Sequence, residues 1–571
     1  MGFTFSDKLI RNNQIVFIYE ECASSGICRV AGRVRDDIGK VFGTRPIGVE
    51  YANFRDTADF FSNPVFFGTV GESVLLDRLA TAGKIDLFAI AGEKEVYMIN
   101  VIDGLEFAGF RFESAIVVAG ADKPGTIYGL FALSEMLGVS PLVDWLDEKP
   151  KHLDEYTLSF TEPVISKMPA AACRGFSVDE TGISFDDRNK IVELLLRLKG
   201  NHLGTVLPCP DIAEEYGITI EESSAPVFTS AYLPKLWEDV MSAHTGGRAD
   251  RMMVNAGTVF SREYQLSYYM ALAYDTAKWG TSGEESARHF TEDFVRKNFP
   301  AFSYDEQEDI CYILLGYTAI MEMFCITELN DGTYAPFTYA EKDTIIAQCD
   351  ALIDMAGRMY DSKDENAPAF FTLVYLPATF DLNMIRMWAL TGQNHVLADA
   401  GSTYANHYAE RIDACVKLDR KLIKSLHSIN KGRWQQIRLP VPVKNPVVHT
   451  VIPSKTPDLI VMIPRTGKYR SILDVSDEPL VLPLYLSEDG DDACFELSIG
   501  SKKKTDYTVS TEDDLLAVSD TGRSIKCKKR RRVSVMVERE KLAEAKGHTG
   551  FIRVSAGGGS VDIKVEVKDE T

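Results

Sequence analysis

Cys173-Arg-Gly-Phe-Ser-Val-Asp-Glu-Thr-Gly182, followed by Asp186 to Asn201 (DDRNKIVELLLRLKGN), is the stretch whose reading decides the fold. Its first half is short and apolar and ends on two acids before a glycine. In its second half Ile191, Leu194, Leu195 and Leu198 recur at helical spacing. The pattern predicts a strand, a loop and a helix. In β/α folds the loop past a strand's C-terminal end carries the reactive groups, because side chains there project from a rigid base. Asp179 and Glu180 are therefore the candidate catalytic carboxylates. The same pair also suits a structural role ahead of the helix, with Asp186 or Asp187 as its cap.

Upstream of this stretch, strand and helix patterns alternate. Ile15 to Tyr19 reads as a strand, Ser24 to Phe42 as a helix and Arg45 to Tyr51 as a strand; Phe66 to Thr69, Leu75 to Ala82 and Glu95 to Val101 continue the series. Ser114 to Gly129 (SAIVVAGADKPGTIYG) is a strand running into a glycine-rich loop, then a helix to Leu137 that Gly138 would cap. Such a loop can cradle a phosphate. The P-loop template nevertheless fails, because Thr126 stands where a lysine is required after Gly125. Asp122 and Lys123 are candidate contacts to a polar ligand, or members of a solvated turn.

Downstream, Asp147 to Pro163 reads as a linker and Pro208 to Pro226 as turn-rich. Leu233 to Ala243 reads as a helix, Met252 to Gly257 as a buried strand ending at Asn255, and Arg262 to Trp279 as a long helix. Asn255 either meets a substrate hydroxyl or turns the chain. From Thr291 to Trp434 the pattern is helical: Tyr304 to Ile326, Tyr339 to Tyr360, Ala367 to Thr391 with a kink at Pro377, and His395 to Asn430. The aromatics there, Phe370, Phe371, Tyr375, Trp388 and Trp434, read as core. Past Pro440 to Pro446, short strands take over at Leu459 to Ile463, Leu480 to Leu486, Ala493 to Ile499, Ser534 to Val537, Phe551 to Val554 and Val561 to Val567. The basic run Lys526 to Arg532 reads as charge protecting a sheet edge.

The fold class expected is a multidomain α/β plus α plus β chain. Its parts are an N-terminal α/β domain (1–165), a shortened TIM-barrel-like β/α segment (166–290), a helical bundle (291–440) and a C-terminal β-sandwich (441–571). A net charge of −21 over 571 residues disfavours nucleic acid and anionic membrane as partners. The ten cysteines and nine histidines fall at no zinc spacing, so neither metal nor cofactor is expected. No apolar run reaches the ~20 residues of a membrane span and no leader pattern opens the chain, so a cytoplasmic protein is expected. A homodimer is compatible with all of this.

Several stretches resemble one family, glycoside hydrolase family 115, the xylan α-1,2-glucuronidases. They are ADKPGTIYGLFALSEMLGVSPLVDW (Ala121 to Trp145), CRGFSVDE (Cys173 to Glu180) with ELLLRLKGNHL (Glu193 to Leu203), and VNAGTVFSREYQLSYYMALAYDTAKW (Val254 to Trp279). LVYLPATFDLNMIRMWALTGQ (Leu373 to Gln393) and DRKLIKSLHSINKGRW (Asp419 to Trp434) extend the likeness. The resemblance implies hydrolysis of α-1,2-linked (4-O-methyl)glucuronic acid from xylan-type glycans, with inversion. Asp122, Lys123, Arg174, Asn201 and Asn255 are the candidate substrate contacts for such a glycan, the arginine because its fork pairs a carboxylate bidentately.

One departure is large. The family's (β/α)8 barrel takes ~250 residues, whereas only Pro169 to Trp279 are available here, and neither a His-His nor an Asp-Glu-Pro motif occurs between Leu203 and Trp279. The middle of the barrel is expected to be missing. Glycoside hydrolysis uses two carboxylates on either side of the scissile bond, so a partner for Asp179 or Glu180 has to come from Glu214, Glu215, Glu221, Glu222 or Glu263. The alternatives to an active hydrolase are an inactive relative that binds a glycan or serves a structural role, and a shortened product that would aggregate.

Overall fold

The computed structural model describes residues 2–21, 23–146, 149–178, 185–205, 210–222, 232–247, 250–257, 259–324, 329–330, 332, 339–361, 367–429, 446–476, 478–486, 493–511, 514–537 and 547–569. Asp179 and Glu180 lie outside the described residues, as does Trp434. The chain divides into two compact units. One comprises Met1–Glu322, Ala356–Pro377 and Leu426–Pro440; the other comprises Met323–Met355, Ala378–Ser425 and Val441–Thr571.

In the first unit a six-stranded sheet follows from the strength of its apolar runs. Ile15–Tyr19, Asn63–Thr69 and Ser114–Gly120 are buried almost throughout, as strands covered on both faces must be. They lie parallel in the order Ser114–Gly120, Asn63–Thr69, Ile15–Tyr19, with Ile47–Glu50 beyond, and Tyr97–Asp103 and then Val164–Ile165 join antiparallel at the other side. Helix Ser25–Phe42 packs through Ile27, Val30, Val34, Ile38 and Val41 and stops at Gly43, whose φ of 89° suits a residue without a Cβ. The expected linker contains a strand, Glu155–Leu158, that pairs with Phe3–Ser6. That pairing joins segments some 150 residues apart, which no local pattern reports.

The quoted stretch forms the second sheet. Cys173–Ser177 pairs in parallel with His202–Gly204 on one side and Arg251–Asn255 on the other, and Thr219–Glu221 lies beyond His202–Gly204. Helices Phe185–Arg197 and Glu263–Tyr274 follow two of these strands. Among the described residues the sheet has four strands and two open edges.

In the second unit two five-stranded sheets contribute to one apolar core, from Leu459 and Phe495 to Ile563 and Val565. The strand Arg530–Val537 is paired on both sides, with Cys494–Ile499 and Leu516–Val518. The second pairing reaches only Val535–Val537, so among the described residues Arg530–Arg532 of the basic run are laddered on one side. Arg530 is held by Glu496 at 3.0 Å and Asp343 at 3.2 Å, and Lys528 by Glu410 at 2.6 Å, so these charges are internally paired.

The expected helix from His395 to Asn430 is two helices. Leu376–Asp399 continues through Gly392, and the break comes at Gly401, with φ of 74°. There the Ser402 hydroxyl bonds Ser498 at 2.7 Å and the Thr403 N–H donates to Ile499 O at 2.9 Å, before Ala405–Ser428 begins. At Pro377 a π-helical turn, Phe371–Tyr375, precedes the ring and absorbs the lost backbone bond. Among the described residues no helix is long and apolar enough to cross a membrane, and no group of three metal-ligating side chains converges.

Candidate functional site

The register of the four-stranded sheet places Glu221, Gly204, Ser177 and Asn255 side by side at the C-terminal ends of their strands. Alternate residues of a strand face opposite sides. Cys173, Ser177, His202, Glu221, Arg251 and Asn255 therefore share one face, while Arg174, Phe176, Leu203 and Val254 share the other. On the first face Arg251 reaches both Glu221 and the Cys173 sulfur. Gly175 keeps the middle of this face clear, and it has to be glycine: a Cβ there would stand 1.7 Å from the His202 carbonyl oxygen. The Ser177 hydroxyl is buried with no hydrogen-bond partner among the described residues. This face ends on the loops that carry reactive groups in β/α folds, and Asp179 follows Ser177 by two residues.

The other face gathers three of the predicted substrate contacts into a seam. Arg174 is completely buried, and its guanidinium donates to Ala171 O at 2.7 Å, to Lys199 O at 2.9 Å and to the Glu95 carboxylate. Asn201 donates to the other Glu95 oxygen at 2.6 Å and to Ala172 O at 2.8 Å, and accepts from the Arg174 N–H at 2.8 Å. Asp122 caps its helix through Gly125 N at 2.8 Å and takes the Glu95 N–H at 2.9 Å. Lys123 donates to the Glu214 carbonyl at 3.1 Å. Asp122, Arg174 and Asn201 thus converge on Glu95, a residue with no marked pattern around it, and with Lys123 they tie the segments around the six-stranded sheet to those around the four-stranded one. Asn255 alone among these residues stands in the strand-end row, and its Oδ1 accepts from Gly257 N at 2.8 Å, a chain-turning role.

The segment after Asn255 is strained. Gly257, Val259 and Ser261 all lie at positive φ, 58°, 66° and 65°, a region costly for a β-branched residue such as Val259. Burial of Val259 and Phe260, with bonds from Ala256 N to Ser177 O at 2.9 Å and from Arg262 N to Val259 O at 3.0 Å, holds it there. The loop delivers Glu263 into the interior, where its carboxylate accepts from the Trp145 indole N–H at 2.9 Å. Burial raises the Glu263 pKa to about 7, against the pull of Trp145 and the surrounding backbone N–H groups.

The remaining carboxylates differ in access. Glu215 is tied to Arg29 at 2.7 Å, away from the strand ends. Glu263 is enclosed. Glu221 shares the face and row of Ser177, with its side chain 30% exposed. Among the described residues it is the carboxylate on the open face of the row.

The family model described as Glycosyl hydrolase family 115 matches residues 220–325, a span containing Glu221, Asn255 and Glu263. No curated protein matches. Among solved structures, a family GH115 4-O-methyl-α-glucuronidase, BtGH115A, described as specific for decorated arabinogalactans, is similar over 98% of this chain and 99% of its own, at 13% identity and a TM-score of 0.57. CpGH84D aligns over 71% of this chain and 88% of its own at 9% identity, but its TM-score of 0.33 carries no argument about the fold. In fold along its length, and in sequence over residues 220–325, this chain is a GH115-like protein.

Proposed function

We propose that the protein is a glycoside hydrolase of the family 115 type that removes (4-O-methyl)glucuronic acid from a branched plant-type glycan. The observation that carries the reading is the strand-end row Glu221, Gly204, Ser177, Asn255, set within a fold similar to that of an α-glucuronidase. On this reading the chain combines an N-terminal α/β domain, a shortened barrel, a helical bundle and a C-terminal β-sandwich. Inversion needs an acid and a water-activating carboxylate ~6.5 to ~9.5 Å apart. Asp179 or Glu180 provides one and Glu221 the other, because residues adjacent in sequence do not easily flank a single bond. Arg251, beside Glu221, holds that carboxylate in place for the base role.

The second reading is a glycan-binding relative without turnover. The four-stranded extent of the sheet favours it, since the loops of further barrel strands are not among the described residues. The deciding experiment measures 4-O-methylglucuronic acid released from glucuronoxylan fragments and from decorated arabinogalactan, with the wild type beside Asp179→Ala, Glu180→Ala and Glu221→Gln. Release that falls at least ~100-fold in Glu221→Gln and in one of the other two supports the hydrolase. A folded wild type that binds either glycan and releases nothing establishes the second reading.

A further inference from the structure

Three helices, Tyr339–Asp361, Leu376–Asp399 and Ala405–Ser428, pack in layers whose levels are fixed by polar contacts. Asp350 of the first accepts from Arg386 of the second at 2.5 Å and from Arg411 of the third at 2.7 Å. Arg386 lies against Cys349 and Cys415, and Asn383 donates to the Cys415 carbonyl at 3.0 Å. Asn394 donates to the Ala405 carbonyl at 2.9 Å. Asp343 meets Arg530 at 3.2 Å, and that guanidinium lies over the Tyr404 ring at 5.3 Å. The first and third helices therefore run parallel and the second runs against them. Seven residues return a helix to nearly the same face about 10 Å along its axis. One such step from Cys349, Arg386 and Cys415 leads to Lys342, Gln393 and Tyr408, which form the neighbouring layer.

That layer is enclosed and unsatisfied. Lys342 and Gln393 are fully buried and Tyr408 nearly so. The Lys342 Nζ and both polar atoms of the Gln393 amide have no hydrogen-bond partner among the described residues. The carboxylates nearby are engaged elsewhere: Asp343 with Arg530, and Asp350 with two arginines. Asp419, whose Oδ2 also lacks a partner, lies about 16 Å along the third helix from Tyr408, at ~1.5 Å per residue. Lys342 also stands near the N-terminal end of its helix, where the aligned backbone dipoles oppose a cation and favour an anion. Burial lowers the Lys342 pKa to about 8, against the attraction of Asp343, so the group is still mostly charged at neutral pH. An enclosed ammonium and an enclosed amide, both unmet, are costly unless something accepts from them.

We propose that Lys342 and Gln393 hold a small monovalent anion in this layer. The anion accepts from the Lys342 ammonium and from the Gln393 Nε2–H. An oxyanion bearing a hydroxyl, such as bicarbonate, also donates to Gln393 Oε1, which chloride leaves unmet. Lys342, Gln393 and Tyr408 belong to the second unit and the strand-end row to the first, so the outcome here is independent of the hydrolase reading.

The test titrates the full chain with chloride at constant ionic strength, using gluconate as the bulky replacement anion, and follows chloride NMR line broadening and Tm. The wild type is expected to show a saturable broadening component. Lys342→Met, which removes the charge at similar length, and Gln393→Glu, which supplies a built-in counter-ion, should each weaken it at least ~tenfold. Gln393→Glu satisfies Lys342 without a bound anion, so it keeps the comparison open where Lys342→Met does not fold. Bicarbonate that displaces chloride at severalfold lower concentration assigns the hydroxyl contact to Gln393 Oε1; bicarbonate that displaces it no better assigns a halide site. A wild type with neither saturable broadening at roughly 100 mM chloride nor a bicarbonate-dependent rise in Tm would leave only a bridging water in the layer and overturn the assignment. So would either effect persisting undiminished in whichever variant folds.

Discussion

The two faces of the four-stranded sheet differ in how each holds an arginine and a glutamate. On the helix-packed face Arg174 is fully enclosed and its charge is met by Glu95 and by backbone carbonyls, so its guanidinium serves cohesion. On the opposite face Arg251 and Glu221 pair in partial contact with water, with side chains 51% and 30% exposed. The same pair of residue types, an arginine and a glutamate, is structural on one face and available for chemistry on the other. Burial decides which, because a charge shut away from water is fixed to its partner while an exposed one can exchange it.

The largest effect should come from breaking the enclosed face. Arg174→Met leaves the Glu95 carboxylate and the Lys199 carbonyl without their donor, and a loss of about 3–5 kcal/mol is expected in urea unfolding. A loss below about 1 kcal/mol would put Arg174 on the same footing as Arg251 and dissolve the contrast.

Glu263 sharpens the comparison through pH. Its pKa is raised from 4.5 to about 7 in the folded chain. The folded state therefore holds this proton more tightly than the unfolded state. Its stabilising effect is complete below about pH 4.5 and is lost as pH rises through about 7, a decline of roughly 3 kcal/mol. Glu263→Gln keeps an acceptor for Trp145 and does not titrate, so its unfolding free energy should lack this part of the decline. Identical pH profiles for the two proteins would show that the carboxylate reaches solvent.

Trp145→Phe removes the indole donor while keeping an aromatic ring, and about 1–3 kcal/mol should be lost. Smallest in stability is Arg251→Met on the open face, where an exposed pair contributes only about 0–1 kcal/mol. On the hydrolase reading the same substitution should nonetheless lower turnover, because Glu221 loses the cation that positions it. A variant unchanged in both stability and turnover would remove Arg251 from the site.

Much of the fold was legible where burial is uniform. Ile15–Tyr19, Ser114–Gly120 and Leu459–Ile463 announce themselves as strands because their apolar runs are nearly continuous, and helix Ser25–Phe42 because its apolar residues keep one stripe. The strand Thr505–Thr511 went unread: its buried residues, Thr505, Tyr507 and Val509, include a threonine and a tyrosine that a hydropathy pattern does not separate from surface. The break at Gly401 was misplaced to Gly392 because both glycines look alike in sequence, and only the bonds to Ser498 and Ile499 distinguish them.

The candidate site divides along the same line. The sequence alone determined that a strand opening at Cys173 leads into a loop with two acids, that Asn255 closes a second strand, and that the charge balance is acidic. Each of those depends on neighbours along the chain. The tertiary structure decided that Arg174, Asn201 and Asp122 close around Glu95 and that Glu221 stands in register with Ser177. It also decided that Glu263 is sealed against Trp145. Whether a charged side chain binds a ligand or its own protein depends on which face of a sheet it occupies and what lies opposite. That is set by contacts between residues distant in sequence, which local pattern does not encode.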